Sequence, residues 1–215
     1  MKPLDVVLGQ RRSQPMMLLK LTAVITMILD HVGFVYDIDA LRIVGRFAFP
    51  AFAYLLVTGF QHTSSRRRYL VRLLVFAVFA QVPYYLLFEY GHQLNILFTL
   101  ALGLCALSAL GRPGVVPLVV IPVAFLGSFA VEYGAYGLLL IMIIYWLYRR
   151  PLLLCAAACL LTCLSTVLLF APTQYFAALA LPLVLLLARH TGSLTLPKHL
   201  LLGLPAAPGR APAAD

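Results

Sequence analysis

Apolar runs of about 17–21 residues alternate along the chain with short polar or Pro/Gly clusters. The runs fall at 16–36, 41–61, 69–89, 94–110, 115–131, 133–149, 151–170 and 173–189. A helix crossing the roughly 30 Å hydrocarbon core needs about 20 apolar residues, with about 17 as the lower limit. Each run is therefore a candidate span, and the fourth to sixth are among the shortest. Strict alternation of apolar and polar positions, the mark of an outer-membrane barrel, is absent. The pattern predicts an all-α, polytopic membrane helix bundle of about eight transmembrane helices.

Composition agrees. The 215 residues are 63% hydrophobic and 11% charged, with a mean hydropathy of +0.98. Soluble domains carry about 25% charged and roughly 45–50% apolar residues. A soluble enzyme, a disordered chain and a nucleic-acid binder are excluded on these values. The net charge of +9 is explained by where the charges sit. All Lys and Arg residues except Arg42 and Arg46 fall before span one, after span eight, at the junctions of spans two and three, four and five, or six and seven, or in the one or two turns of a span next to those points. The positive-inside rule makes that side cytoplasmic, with both termini there. The opposite side holds Asp37, Asp39, Glu89 and Glu132 together with Arg42 and Arg46.

The organisation follows: a basic cytoplasmic segment at 1–15, a transmembrane domain at 16–190, and a carboxyl tail at 191–215. The tail turns Pro/Ala-rich from about Gly203 and reads as disordered or as a truncated last helix. No small-x-small cleavage site follows the first apolar run, so it is expected to remain as a span. Cys155, Cys159 and Cys163 recur at four-residue spacing in span seven. Lacking acidic or histidine partners, they read as a packing stripe of small residues, and no metal site is expected.

Ionisable groups inside a membrane are costly unless paired, which makes each one a functional candidate. Asp30 and His31 lie about 21 Å along span one from Met16, in its outer half. Arg46 enters span two from the outer side at a matching depth, with Arg42 one turn higher. Asp30 is expected to pair with Arg46. Neighbouring residues on a helix point about 100° apart, so His31 is expected to find Glu132, Asn95 or substrate instead. Asn95, with Thr99 one turn lower, opens span four, and Glu132, Tyr133 and Tyr136 lie at the outer junction of spans five and six. A histidine exchanges a proton near neutral pH, and an Asn amide or Tyr hydroxyl can donate to a developing oxyanion. At the cytoplasmic end, His62 precedes Arg66, Arg67 and Arg68. Consecutive arginines grip phosphates bidentately, and they also serve as a topology signal that attracts anionic lipid.

These segments resemble a known family. Leu29-Asp30-His31-Val32-Gly33, Gly45-Arg46-Phe47-Ala48-Phe49-Pro50, Asn95-Ile96-Leu97-Phe98-Thr99 and Glu132-Tyr133-Gly134-Ala135-Tyr136-Gly137 are similar, in this order, to blocks of the TraX family of membrane acetyltransferases. The last block is expected to open with Asp where this chain has Glu132. Pro197-Lys198-His199-Leu200 echoes a closing Pro-x-His pattern, but the residues after it turn Pro/Ala-rich too early to span.

The resemblance implies a multi-pass enzyme of the bacterial inner membrane. Such an enzyme takes an acetyl group from acetyl-CoA and transfers it to an amine, such as the amino terminus of a conjugative pilin, or to a hydroxyl. Its expected partners are lipid, acyl-CoA and a pilin or other envelope acceptor. Carried onto this chain, it places His31, Asp30, Arg46 and Glu132 in catalysis. Arg42, Asn95, Thr99 and Tyr136 are then expected at the substrate, and His62, Arg66, Arg67 and Arg68 at the CoA phosphates. A proton-coupled carrier uses the same intramembrane residue types, but the paired broken helices of repeat-built carriers are absent. A non-catalytic family member is the third reading.

Overall fold

The structure, a computed structural model, describes residues 3–88, 93–169 and 172–190. Its elements are α1 (Pro3–Val35), α2 (Asp39–Gly45), α3 (Ala48–His62), α4 (Arg66–Leu87), α5 (Ile96–Leu110), α6 (Val116–Gly127), α7 (Gly134–Leu147), α8 (Pro151–Leu169) and α9 (Ala177–His190). Short 3₁₀ turns at Ser128–Ala130 and Pro172–Phe176 follow α6 and precede α9. Among the described residues the one extended pairing is a parallel bridge between Leu94 and Val131. Where water is scarce a backbone must satisfy its own N–H and C=O groups, and a helix does so within one segment.

Among the described residues, three helical segments are long and apolar enough to cross a membrane: Met17–Val35, Asp39–His62 and Arg66–Leu87. Shorter apolar helices cover Ile96–Leu110, Val116–Ala130, Gly134–Leu147, Pro151–Val167 and Gln174–Ala188. These segments coincide with the eight apolar runs of the sequence. Helix α1 differs from expectation in starting at Pro3 rather than near residue 16. The expectations for Glu89 and the tail from 191 onward lie outside the described residues.

The centre of the bundle is α3. Phe49, Tyr54, Leu56 and Val57 are at most 2% exposed, and the helix packs against α1, α5, α7 and α9. A helix buried on all sides has no need of a polar face. Helices α4 and α6 lie at the periphery and present Phe76, Phe79, Val82, Leu118, Val123 and Leu126 outward, each more than 60% exposed. Soluble monomers do not carry an apolar belt of this extent, whereas lipid covers it without cost. The chain is a membrane protein with an all-α bundle.

Two local features shape the polar end of the bundle. The break between α2 and α3 falls at Arg46 and Phe47, four and three residues before Pro50. Pro50 has no N–H to donate to the Arg46 carbonyl, and its ring crowds that carbonyl, which favours a break at this point. The chain resets there through a tight turn, with the Phe47 N–H donating to the Val44 carbonyl at 3.2 Å.

The second feature is close helix approach. A Cβ at Gly45 would lie 2.2 Å from the Asp30 Cβ and 2.6 Å from its Cα, and one at Gly33 would lie 2.9 Å from the backbone N of Arg42. Glycine at both positions lets α1 and α2 meet backbone to backbone. Gly45→Ala is expected to destabilise the protein by about 3 kcal/mol or more, because the obstacle is backbone rather than a movable side-chain tip. Thermal unfolding in detergent checks this, and an unchanged midpoint would contradict the contact.

In α8 the buried stripe is Leu154, Ala158, Thr162 and Thr166, each at most 3% exposed, while Cys159 is exposed. The packing stripe assigned to the cysteines therefore lies one position earlier. The Thr162 and Thr166 hydroxyls donate to the carbonyls of Ala158 and Thr162, at 2.7 and 2.8 Å, so the stripe buries neither hydroxyl unpaired.

Candidate functional site

The expected ion pair is formed. Arg46 Nη2 donates to Asp30 Oδ1 at 2.5 Å, with the two side chains 15% and 14% exposed. Arg46 comes from the broken turn between α2 and α3, and Asp30 from the α1 surface that Gly45 uncovers. Arg46 Nη1 also donates to Gln174 Oε1 at 3.3 Å, and its Nε to the Arg42 carbonyl at 3.4 Å. A guanidinium held from three sides has one orientation.

Glu132 lies beside this pair, in the connection between α6 and α7. Its N–H donates to the Leu94 carbonyl at 2.8 Å, and the Leu94 N–H donates to Ala130 at 3.0 Å. The Thr99 hydroxyl donates to the Glu132 carbonyl. Tyr133 follows in the left-handed region at φ 64°, a strained setting for a bulky residue, with its ring stacked on Phe49 at 4.1 Å. Burial first, then the negative charge of Asp30, pushes the Glu132 carboxyl up to about 7, with Arg46 pulling the other way.

Arg46, Glu132, Tyr133 and Tyr136 line a cavity of about 410 Å³ completed by Gln93, Ser165 and Gln174. The Tyr136 hydroxyl is 3.3 Å from that of Thr162. The cavity is the size of a small-ligand pocket and is mostly apolar, with a few convergent polar groups. A carboxylate near its pKa, a fixed guanidinium, a phenol and amides can together exchange a proton and stabilise an oxyanion. Among the described residues, no group of His, Cys, Asp and Glu could hold a metal ion.

Other expected site residues lie elsewhere. His31 meets neither Asn95 nor Glu132: its Nδ1 lies 2.8 Å from the carbonyl of Met27 on its own helix, and its ring packs edge-on against Phe88 at 5.4 Å. A carbonyl only accepts, so Nδ1 is the donor of this bond. Asn95 is 3% exposed and fully engaged. Its Nδ2 donates to the Ala77 carbonyl and Gln81 Oε1, at 2.8 and 2.9 Å, and its Oδ1 caps α5 by accepting from Leu97 N–H at 3.0 Å. With no donor left for substrate, Asn95 ties α4 to α5. Thr99 acts likewise, holding the Glu132 backbone. Arg42 stacks over Phe34 at 5.7 Å, and its Nε is buried without a hydrogen-bond partner.

Asn95→Ala is expected to cost about 2 kcal/mol of stability, through loss of the cap and of the bonds to α4. Thermal unfolding measures it; an unchanged midpoint would remove this structural role.

At the far end of α3 the basic residues separate into two groups. His62 and Arg66 share a cavity of about 790 Å³ with Arg149, Arg150, Tyr145, Trp146 and Tyr148. The Arg66 guanidinium sits 4.5 Å above the Phe60 ring. Arg67 and Arg68 turn away and, with Ser64, Ser65 and Arg72, line a separate cavity of about 730 Å³. Tyr148 reaches into the bundle, its hydroxyl 3.5 Å from that of the buried Tyr54.

Gln174, Ser165, Arg149 and Arg150 were not singled out in the sequence as site residues. For Gln174 the signal was a lone amide at the polar-end mouth of an apolar run. For the arginine pair it was a second basic cluster on the same side as Arg66.

The comparisons agree with the resemblance to the family. A probable fimbrial assembly protein, FimC of serogroup H1, from Dichelobacter nodosus is 38% identical over 138 residues, covering 56% of each chain. Protein TraX of Escherichia coli is 32% identical over 155 residues, covering 67% of this chain and 62% of that one. An uncharacterized protein, RP591, of Rickettsia prowazekii is 30% identical over 102 residues, covering 46% and 39%. The chain spans about half the length of the curated relatives it matches. No solved structure matches at a significant level. The family described as TraX protein matches residues 16–200, and the chain belongs to the TraX family.

Proposed function

We propose that the protein is a membrane-embedded acyltransferase that moves an acetyl group from acetyl-CoA to an amine or hydroxyl acceptor, with a pilin amino terminus as the favoured acceptor. The observation that carries this reading is the placement of two unlike cavities at opposite ends of α3. One is cationic and aromatic; the other holds a carboxylate beside a fixed guanidinium. The relatives named for fimbrial assembly and TraX support an envelope acceptor.

In this reading the nucleotide phosphates of the thioester meet Arg66, Arg149, Arg150 and His62, with Tyr145, Trp146 and Tyr148 as stacking surfaces for the base. The thioester end enters the bundle past Tyr148 and Tyr54. The acceptor occupies the opposite cavity, where Glu132 takes a proton from its amine or hydroxyl. The nitrogen or oxygen lone pair forms a bond to the thioester carbonyl carbon, and Arg46 and the Tyr136 hydroxyl face the resulting oxyanion. Collapse breaks the C–S bond, leaving the acetylated acceptor and the CoA thiol, which takes up the proton. Asp30 acts as a positioning residue that orients Arg46.

Glu132 is favoured over His31 as the base because it lines the cavity. The test is to incubate purified full-length protein with radiolabelled acetyl-CoA and an amine-bearing peptide. Labelled peptide with release of free thiol is expected; intact thioester after prolonged incubation would overturn the proposal.

A further inference from the structure

The first turn of α4 runs against the usual electrostatics of a helix end. A helix N-terminus carries a partial positive charge of about half an elementary charge, which favours carboxylates and disfavours cations. Helix α4 opens on Arg66, Arg67 and Arg68 with no acidic residue in its first turn. Arg112, just past the end of α5, joins them. Among the described residues the recorded ion pair is Asp30–Arg46 at the opposite end of the bundle. No protein carboxylate of that set neutralises this cluster.

From the cluster a groove of about 360 Å³ runs into the apolar zone between α4, α5 and α6, with Arg66, Arg67 and Arg112 at its mouth. Its walls change character with depth. Leu70 lies one turn beyond Arg66, Cys105 lies about 10 Å back along α5 from Arg112, and Val120 lies one turn inside α6 from Val116. Ser108, also in the wall, spends its hydroxyl on the Leu104 carbonyl at 2.7 Å. The groove therefore offers cations at one end and, beyond them, apolar surface without free polar groups.

We propose that this groove is a binding site for an anionic phospholipid, with the phosphate between Arg67 and Arg112 and one acyl chain lying along Leu70, Ala109 and Val120. A free phosphate gains nothing from the apolar walls, and a zwitterionic headgroup does not neutralise the cluster. Basic pockets between membrane helices bind anionic headgroups for the same two reasons. The site is distinct from the proposed nucleotide cavity. Arg66 borders both and is left unchanged in the test.

The full-length protein is stripped of lipid in detergent, then titrated with phosphatidylglycerol or phosphatidylcholine of identical chains, and bound lipid is counted by native mass spectrometry. Phosphatidylglycerol is expected to bind about tenfold more tightly or better. The exposed pair Arg67→Gln/Arg112→Gln should erase that preference. Val120→Trp, which fills the groove and keeps every charge, should weaken binding of phosphatidylglycerol at least about fivefold. Glycerol phosphate at the same concentration should not displace the lipid. Equal binding of the two lipids, a preference that survives the double substitution, or displacement by glycerol phosphate would each overturn the site. Loss in the arginine variant alone, with Val120→Trp binding normally in a folded protein, would reduce it to surface attraction and overturn the groove.

Discussion

Arg46→Met is expected to be the most damaging single substitution for stability, at about 3–5 kcal/mol. Removing the guanidinium leaves the Asp30 carboxylate without its cation in a largely dehydrated setting. It also removes a positive charge that offsets Asp30 at Glu132. Replacing both partners, as Asp30→Leu with Arg46→Met, leaves no uncompensated charge there. That double variant should unfold at a higher temperature than either single one, because an apolar pair of similar volume often matches a buried ion pair in stability. Thermal unfolding of the four proteins in one detergent closes the cycle. A double variant whose loss equals the sum of the two single losses would show that the groups act independently and would contradict the pairing. Activity should disappear in the two variants that lack Arg46, which is assigned to the oxyanion, and fall in Asp30→Leu, which loosens its orientation.

The largest effect on turnover is expected at Glu132. Glu132→Gln keeps the shape and removes the base, and a positioned base contributes about 10²–10⁴-fold. Glu132→Asp should keep much of the activity, in line with the expected Asp at the corresponding position of the family block. The pH profile supplies an independent readout. With the carboxyl at about 7, the base is protonated and idle at acidic pH, so the rate should rise through neutrality and level off above it. Moving the carboxyl with Glu132→Asp should shift this limb. His31→Ala should cost much less, because the ring is bonded to its own helix and packed on Phe88. A Glu132→Gln enzyme with unchanged turnover would remove Glu132 from the chemistry, and a far larger loss in His31→Ala would return the base role to the histidine.

Depth along each helix was readable from the sequence, but direction around it was not. Asp30 and Arg46 were matched because equal depth and opposite charge leave few alternatives for two ions in a membrane. Asn95 and Thr99 had the right depth as well, but a polar side chain at that depth can serve the frame as easily as a ligand. Gln81 and the Ala77 carbonyl on α4 claimed Asn95, and the Glu132 carbonyl claimed Thr99. Arg66, Arg67 and Arg68 show the same limit at the other end. Successive residues point about 100° apart, so the run that looked like a single phosphate grip divides between cavities, and Arg149 and Arg150 complete one of them. The turn at Arg46 divides the single run expected at 41–61, and Pro50 was the signal for it. The backbone contact beneath Asp30 was not legible, because it depends on where Gly45 meets α1 in space.

In the proposed mechanism the two cavities work from opposite faces of one membrane. The direct measurement uses proteoliposomes loaded with an amine-bearing peptide, with radiolabelled acetyl-CoA, which does not cross the bilayer, supplied only outside. Acetylated peptide accumulating inside the vesicles, in wild-type protein and not in Glu132→Gln, is the predicted result. Acetyl-CoA that stays intact, or label that reaches the peptide only when both are on the same side, would contradict it.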